Sequence, residues 1–133
     1  MADTKHFTIA TVAESSADFR RVLWTGPHTQ LVIMTIPVDG EIGEEVHEDS
    51  DQILTVVSDT GEALLGDETQ EVAQGELLVV PAGTNHNVRN TGVNPLVLYT
   101  VYGPPDHADG VVHRTKEEAE AAEAAGEDEA PTS

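Results

Sequence analysis

The segment that most constrains the fold of this chain is residues 75–90, Gly-Glu-Leu-Leu-Val-Val-Pro-Ala-Gly-Thr-Asn-His-Asn-Val-Arg-Asn. Its short apolar run at 77–80 predicts a buried strand. Pro81 and Gly83 then break the strand, because proline fixes φ and glycine supplies the positive φ of a type II turn. His86 opens a second alternating run. The pattern predicts a histidine held at the start of a strand by a tight corner, a position that suits a metal ligand or a general base.

The rest of the chain repeats this spacing of short strands and turns. Apolar or alternating runs occur at 31–36, 52–57, 62–65, 69–72, 77–80, 86–90 and 96–102. Residues 9–12 fit a further strand, and 18–24 fit a strand or a short helix. About eight short strands, with no convincing internal helix, predict an all-β sandwich, jelly roll or small barrel.

The charge balance of the sequence is strongly acidic. The 133 residues include 25 Asp and Glu against 6 Lys and Arg. Seven of the acids follow Lys116, and the preceding part still has 18 acids against 5 bases. Nucleic acid and anionic membranes are therefore poor partners, because each requires a basic face. With only two lysines, the composition favours a halophilic protein over an ordinary acidic one.

Length and cysteine content narrow the class of protein further. The chain is long enough for one domain with a hydrophobic core and too short for two. It has no cysteine, which excludes disulfides and cysteine-ligated metal sites. The first residues contain no apolar signal segment and no run reaches the length of a membrane span. We therefore expect a cytoplasmic protein.

The sequence divides into four predicted parts. They are an N-terminal arm with strands that complete the barrel (1–29), a core (30–103), a loop (104–115) and an acidic, Ala- and Glu-rich tail (116–133). Thr115 and Glu118 match a capping box at the start of a tail helix. Because this helix has nothing larger than Ala to bury, we expect it to fray, to lead into a disordered end and to carry no chemistry.

A second stretch, residues 40–61, concentrates polar side chains. On a strand, Glu45 and His47 are two positions apart and share a face. After a short turn, Gln52 begins the next strand on its apolar face. If that face lines the interior, these three side chains lie at one depth, and His86 can reach them from across the core.

Residues 75–90 resemble a known family motif. Gly75-x5-Pro81-x-Gly83-x2-His86-x3-Asn90 matches the second motif of the cupin superfamily at every position and spacing.

The stretch from residue 40 resembles the first cupin motif in altered form. That motif usually contains His-x-His, then three or four residues, then Glu. In this chain Glu45 replaces the first His and Gln52 replaces the Glu, whereas His47 is kept. With its flanking strands, the resemblance extends over roughly residues 30–103.

What the resemblance implies is a small single-domain cupin, a double-stranded β-helix or jelly roll with a divalent metal in the barrel mouth. By motif position the ligands are Glu45, His47, Gln52 and His86, with Glu45 also a candidate catalytic base. Such a mixed nitrogen and oxygen set suits Fe(II), Mn(II), Ni(II) or Zn(II). Asp51 is an alternative to Gln52, which we favour because it shares the apolar face.

The remaining polar and aromatic residues are interpreted as structural or exposed. His6 and His28 are expected at the surface. The same position is favoured for His107 and His113, with a loop folded over the barrel mouth as the alternative. Arg89, on the opposite face from His86, is expected to pair with an outward acid. The residues expected to line the core are Met34, Tyr99 and Tyr102.

Two classes of function fit this pattern. The first is a metal-dependent enzyme, an oxygenase or isomerase similar to dioxygenase-like and mannose-6-phosphate-isomerase-like cupins. A phosphorylated substrate is disfavoured, because no Lys or Arg is expected beside the ligands except the outward Arg89. The second is a non-catalytic module that binds a small ligand or a metal. The resemblance also implies a homodimer, which would cover an exposed sheet edge.

Overall fold

The computed structural model describes residues 4–131, which form nine strands and two helices. In chain order these are α1 (Ile9–Glu14), β1 (Arg20–Thr25), β2 (Gln30–Ile36), β3 (Asp51–Ser58), β4 (Thr60–Leu65), β5 (Glu68–Ala73), β6 (Leu77–Val80), β7 (His86–Asn90), β8 (Leu96–Gly103), β9 (Val112–His113) and α2 (Lys116–Ala124). Residues 1–3 and 132–133, at the ends of the predicted arm and tail, lie outside the described residues.

The strands form two antiparallel sheets. The larger has the order β6-β3-β8-β2-β1-β9, and the smaller has the order β5-β4-β7. The chain crosses between the sheets four times, first at Asp59, whose φ of 77° turns the chain from β3 into β4. This arrangement confirms the all-β architecture predicted from the spacing of the short strands and the jelly roll implied by the cupin resemblance.

The core lies between the two sheets and follows from strand alternation. Every second residue of β3, from Gln52 through Leu54 to Val56, points inward and is buried. Each fully buried Leu- or Val-sized side chain contributes about 1.5–3 kcal/mol. At one end of this core the buried residues become polar, and Gln52 meets Thr100 and Tyr102 of β8. The barrel therefore has an apolar body and a polar mouth.

The helix α1 corrects the strand predicted for residues 9–12. Ile9, Val12 and Ala13 have the i, i+3, i+4 spacing of a helix and pack on the outer face of the larger sheet, against Ile33 and Val97. The run is too short for periodicity to separate helix from strand. Packing of this apolar face against the sheet stabilises the helix.

Residues 40–50 form an irregular extended segment. Two isolated bridges, Glu41 with Arg89 and Glu45 with His86, attach the segment to β7. Gly43 lies between them with φ of 107°, and its N–H donates to the Asn87 side chain at 2.8 Å. The positive φ at Gly43 interrupts the hydrogen-bonded pairing with β7. Glu45 and His47 therefore do not lie on a continuous strand.

The C-terminal part is more ordered than predicted. The capping box is present, since Thr115 Oγ1 accepts from the Glu118 N–H at 3.1 Å and Glu118 Oε2 accepts from the Thr115 N–H at 3.2 Å. Ala119 of α2 is buried in the main core cluster. Within the segment predicted as a loop, β9 pairs with β1. No helix among residues 4–131 is long and apolar enough to span a membrane.

Candidate metal centre

Three side chains predicted as ligands converge at the polar end of the barrel. Glu45, His47 and His86 each place one potential ligand atom within 4.8 Å of the other two. The two imidazole rings lie 5.1 Å apart between centroids. A carboxylate and two imidazoles at this separation can share one divalent cation.

The backbone holds this group in register. Glu45 and His86 exchange two hydrogen bonds, N–H to C=O, at 2.9 and 3.0 Å. The predicted corner is present, with Gly83 at φ of 82° and the Thr84 N–H donating to the Pro81 carbonyl at 3.2 Å. The Gly83 N–H also donates to the His47 carbonyl at 2.9 Å. One corner therefore positions both histidines.

The tautomer of His86 follows from its surroundings. Its Nδ1 lies 2.9 Å from the Thr84 carbonyl oxygen, which can only accept a hydrogen bond. Nδ1 is therefore the donor, and Nε2 keeps its lone pair. A backbone carbonyl on the distal ring nitrogen is a usual partner of a metal-ligating histidine.

His47 lies between two carboxylates. Its Nδ1 is 3.2 Å from Asp106 Oδ2, and its Nε2 is 3.0 Å from Glu45 Oε2. Burial lowers the pKa of His47, but the two carboxylates outweigh burial and raise that pKa from 6.5 to about 9. Although Nε2 is close to Glu45, it makes no directed hydrogen bond within the described chain.

Glu45 is held as a carboxylate. Burial raises its pKa, but His47 and Arg20 outweigh this effect and leave the pKa below its ordinary value of 4.5. Arg20 Nη2 lies 4.0 Å from Glu45 Oε1, and the Arg20 side chain is buried. The sequence-based expectation that no base other than Arg89 lies beside the ligands is therefore wrong.

Gln52, the fourth predicted ligand, lies in the polar core beside this group. Its Nε2 donates to Thr100 Oγ1 at 3.0 Å and to the Tyr102 hydroxyl at 3.1 Å. Its Oε1 is buried without a hydrogen-bond partner among the described residues. Asp51 instead points outward and accepts from the Ala82 N–H at 2.9 Å. Of these two residues, Gln52 is the one that faces the interior.

A buried network behind the ligands was not predicted. His107 Nδ1 is 2.8 Å from Asp128 Oδ2, and His107 Nε2 is 3.3 Å from the Tyr102 hydroxyl. Arg20 Nη1 is 3.9 Å from the same Asp128 oxygen. Asp128 comes from the segment after α2, so this part of the tail, which was expected to be disordered, packs against the candidate site.

The remaining sequence-based expectations have mixed outcomes. His107 and His113, predicted at the surface, are 5% and 4% exposed. His6 and His28 are exposed as predicted. Arg89 points outward and pairs with Glu62 at 3.6 Å, also as predicted. The two buried histidines pack against elements far away in the sequence, so no local pattern identifies them.

An open cavity of about 760 Å³ lies over Glu45 and His47. Nine of its 19 lining residues are acidic: Glu44, Glu45, Glu48, Asp49, Asp106, Glu120, Glu123, Asp128 and Glu129. Arg20 is the only Lys or Arg among these lining residues. The cavity therefore has an acidic wall, and its volume is in the range of small-molecule sites.

The fold and the site define the class of this protein. Residues 32–102 match the family model described as "Cupin domain". This match covers more than half of the 133 residues. The chain belongs to the cupin family.

Particular relatives agree with this assignment. The chain is 43% identical over 111 residues to the uncharacterized protein YrkC of Bacillus subtilis, covering 79% of this chain and 60% of that protein. It therefore spans less than two thirds of that relative's length. The crystal structure of BH2720 from Bacillus halodurans is similar at 41% identity and a TM-score of 0.89, with 90% of this chain and 96% of that chain covered.

A more distant structure supports the fold alone. A Klebsiella pneumoniae protein with a double-stranded β-helix domain has 20% identity and a TM-score of 0.68, with 85% of this chain and 100% of that chain covered.

Proposed function

We propose that this cupin binds a divalent metal ion through Glu45, His47, His86 and Gln52, and that it is a metal-dependent enzyme for a small, non-phosphorylated organic substrate. The observation that carries the proposal is the convergence of ligand atoms from Glu45, His47 and His86 within 4.8 Å.

One atom without a partner and one close pair support the fit of a metal to this site. Gln52 Oε1 is buried and makes no hydrogen bond within the described residues, and an unpaired buried polar atom costs about 1–3 kcal/mol. His47 Nε2 faces Glu45 Oε2 at 3.0 Å, so a divalent cation can take the place of the proton between them. Two imidazole nitrogens with carboxylate and amide oxygens suit Fe(II), Mn(II), Ni(II) or Zn(II).

Each protein group has a defined task in this proposal. A bound cation would supply Lewis-acid or redox chemistry. Asp106 orients His47 through Nδ1, and Thr84 orients His86 in the same way. Glu45 is ionised because its pKa lies below the ordinary value. It can therefore act as a ligand or accept a proton from a substrate in the cavity.

The charge of the cavity restricts the class of substrate. Nine carboxylates repel a phosphate or a dicarboxylate, and the Arg20 guanidinium lies within 4.0 Å of two of them, Glu45 and Asp128. A phosphate site normally offers free Arg or Lys donors. A neutral or cationic small molecule fits this wall, so the sequence-based argument against a phosphorylated substrate gains support even though Arg20 is present.

Elemental analysis of untagged protein purified without chelators tests the metal. We expect about one divalent ion per chain, lost in His86→Ala and reduced in Glu45→Ala and Gln52→Ala. Glu71→Ala is the matched control, because Glu71 is an exposed acid on β5. A metal-free wild type, or full occupancy in His86→Ala, contradicts the proposal.

A second candidate, a non-catalytic binding module, is favoured by one observation. Gln52 is a neutral residue that already donates to two core hydroxyl groups. Oxygen consumption and turnover of chelating substrates by the metal-loaded protein separate the two candidates. An enzyme loses this activity in His86→Ala, whereas a wild type that binds metal and turns nothing over is a binding module.

A further inference from the structure

The Arg20 guanidinium lies between two carboxylates that come from distant parts of the chain. Its Nη2 is 4.0 Å from Glu45, and its Nη1 is 3.9 Å from Asp128. Both distances are at the outer limit of an ion pair, and the buried Nε has no hydrogen-bond partner in the part of the chain that the structure describes. Arg20 is therefore shared between the two acids and is close-paired with neither.

Asp128 is firmly held, although it lies beyond α2. Its side chain is only 4% exposed. Its Oδ1 accepts from the Ala108 N–H at 2.9 Å, and its Oδ2 contacts His107 Nδ1 at 2.8 Å. The positive φ of 72° at Gly126 turns the chain after the helix. The segment therefore carries a carboxylate into the wall of the cavity.

We propose that Asp128 is a positioning residue of the metal centre, which holds the Arg20 guanidinium away from Glu45 and so leaves the Glu45 carboxylate free to bind a cation. This inference rests on the proposed function. Among the described residues, the carboxylates within 4.0 Å of the Arg20 guanidinium are those of Glu45 and Asp128, so removing the Asp128 charge leaves Glu45 as the nearby partner. A guanidinium close-paired with Glu45 competes directly with a divalent ion for its oxygens.

A second contact chain gives Asp128 a further link to the site. Asp128 contacts His107, His107 contacts the Tyr102 hydroxyl, and that hydroxyl accepts from Gln52. A group that hydrogen-bonds a metal ligand directly typically contributes about 10–100-fold to metal affinity, and Asp128 acts on Gln52 through His107 and Tyr102. Both links predict a loss of affinity in the same direction.

Cobalt(II) titration of the full chain tests the proposal, with Asp128→Asn and the control Glu127→Gln. Glu127 is an exposed acid next to Asp128 and is not part of the cavity wall. The amide oxygen introduced by Asp128→Asn can still accept from the Ala108 N–H, so the fold should persist. We expect the Kd for Co(II) to rise about tenfold or more in Asp128→Asn and to stay within about twofold in Glu127→Gln. Equal affinity in all three proteins overturns the proposal.

A double variant separates positioning from a merely structural role. If Arg20 is the competitor, Arg20→Gln in the Asp128→Asn background recovers most of the lost affinity. A structural defect is instead made worse by a second substitution, and that result overturns the proposal.

A crystal structure of metal-free Asp128→Asn is a readout that needs no metal. We expect the distance from Arg20 Nη2 to Glu45 Oε1 to fall from 4.0 Å to hydrogen-bond length. An unmoved guanidinium overturns the inference, whatever the cobalt result. A wild type that binds no cobalt overturns the proposed function, and the two failures are thus distinguishable.

Discussion

Gln52 is a single residue that determines the charge of the candidate site. It occupies the inner face of β3, is 2% exposed, and donates to two hydroxyl groups. An amide at this position keeps the buried polar end of the barrel free of a further carboxylate. A carboxylate there would make the metal-free state costly, because burying an unpaired charge is unfavourable.

The variant Gln52→Glu tests this interpretation. We expect the metal-free protein to melt several degrees lower, because the new carboxylate is buried beside the Thr100 and Tyr102 hydroxyl groups. The increase in Tm on adding Co(II) should be larger than in the wild type, since a second anionic ligand binds the cation more tightly. Differential scanning calorimetry with and without the metal measures both effects. Unchanged metal-free stability contradicts the argument.

At the scale of single residues, the sequence identifies side chains through motif position. Glu45, His47, Gln52 and His86 all lie in the polar end of the barrel or beside it. Arg20 and Asp128 carry no such signal. These two residues form an ion pair although they are more than one hundred residues apart in the sequence. A local sequence pattern cannot predict such a contact.

The corner between β6 and β7 is the element that joins the altered motif to the intact one. Gly83 adopts φ of 82° and donates its N–H to the His47 carbonyl at 2.9 Å. It therefore controls the position of His47 as well as that of His86, which follows three residues later.

We expect Gly83→Ala to lower the free energy of unfolding by about 1–2 kcal/mol, because a Cβ is strained at this φ. Gly75→Ala is the matched control, since Gly75 has φ of 86° and open space around it, as Gly83 has. Both variants should lose similar stability, but only Gly83→Ala should weaken metal binding. Chemical denaturation and cobalt titration give the two quantities. Equal metal affinity in the two variants contradicts the role of the corner.

Docking of the segment after α2 should depend on pH through Asp128. Burial raises the pKa of this carboxyl, but His107 and Arg20 outweigh burial and leave it below the ordinary value of 3.8. Because the folded pKa is lowered, the stabilisation is present above pH 3.8 and is lost as the pH falls through the lowered pKa.

The wild type should be more stable than Asp128→Asn by about 1–3 kcal/mol near neutral pH. The difference between the two proteins should shrink in acid below the ordinary carboxyl pKa. Urea denaturation of both proteins across this range measures the difference. A difference that stays constant with pH indicates that the Asp128 charge does not hold the segment.

The whole molecule has a formal net charge of −19. Repulsion among like charges destabilises a compact state, and salt screens it, with a Debye length of about 10 Å at 0.1 M and about 3 Å at 1 M. The halophilic character stays a prediction. We expect the Tm to rise by several degrees between these two concentrations of KCl. The same Tm at both indicates an ordinary acidic protein.

The homodimer also stays a prediction, and one face of the larger sheet suits it. Val79, Ile53, Val101, Leu31 and Trp24 are register partners in a continuous apolar row across five strands. Val79 and Ile53 are 61% and 41% exposed. The row includes the edge strand β6 and carries no charge, so two copies of this acidic chain can approach there with little repulsion.

Light scattering after gel filtration should give the mass of a dimer for the wild type and of a monomer for Val79→Glu. Val93→Glu is the control, because Val93 is 86% exposed but lies outside the row. A monomeric wild type contradicts the prediction.

Residue pattern alone determined seven of the nine strands, the turn at Gly83 and the inward side of β3, because alternation and turn chemistry are local properties of a chain. The resemblance to the two cupin motifs implied that His47 and His86 lie at the same end of the barrel. Tertiary structure decided whether residues 9–12 form a strand or a helix. It also placed Arg20, His107 and Asp128 behind the ligands, since burial and ion pairing depend on which distant segments meet. The candidate ligands can therefore be predicted from the sequence. The charged residues that surround them are brought together only when the chain folds.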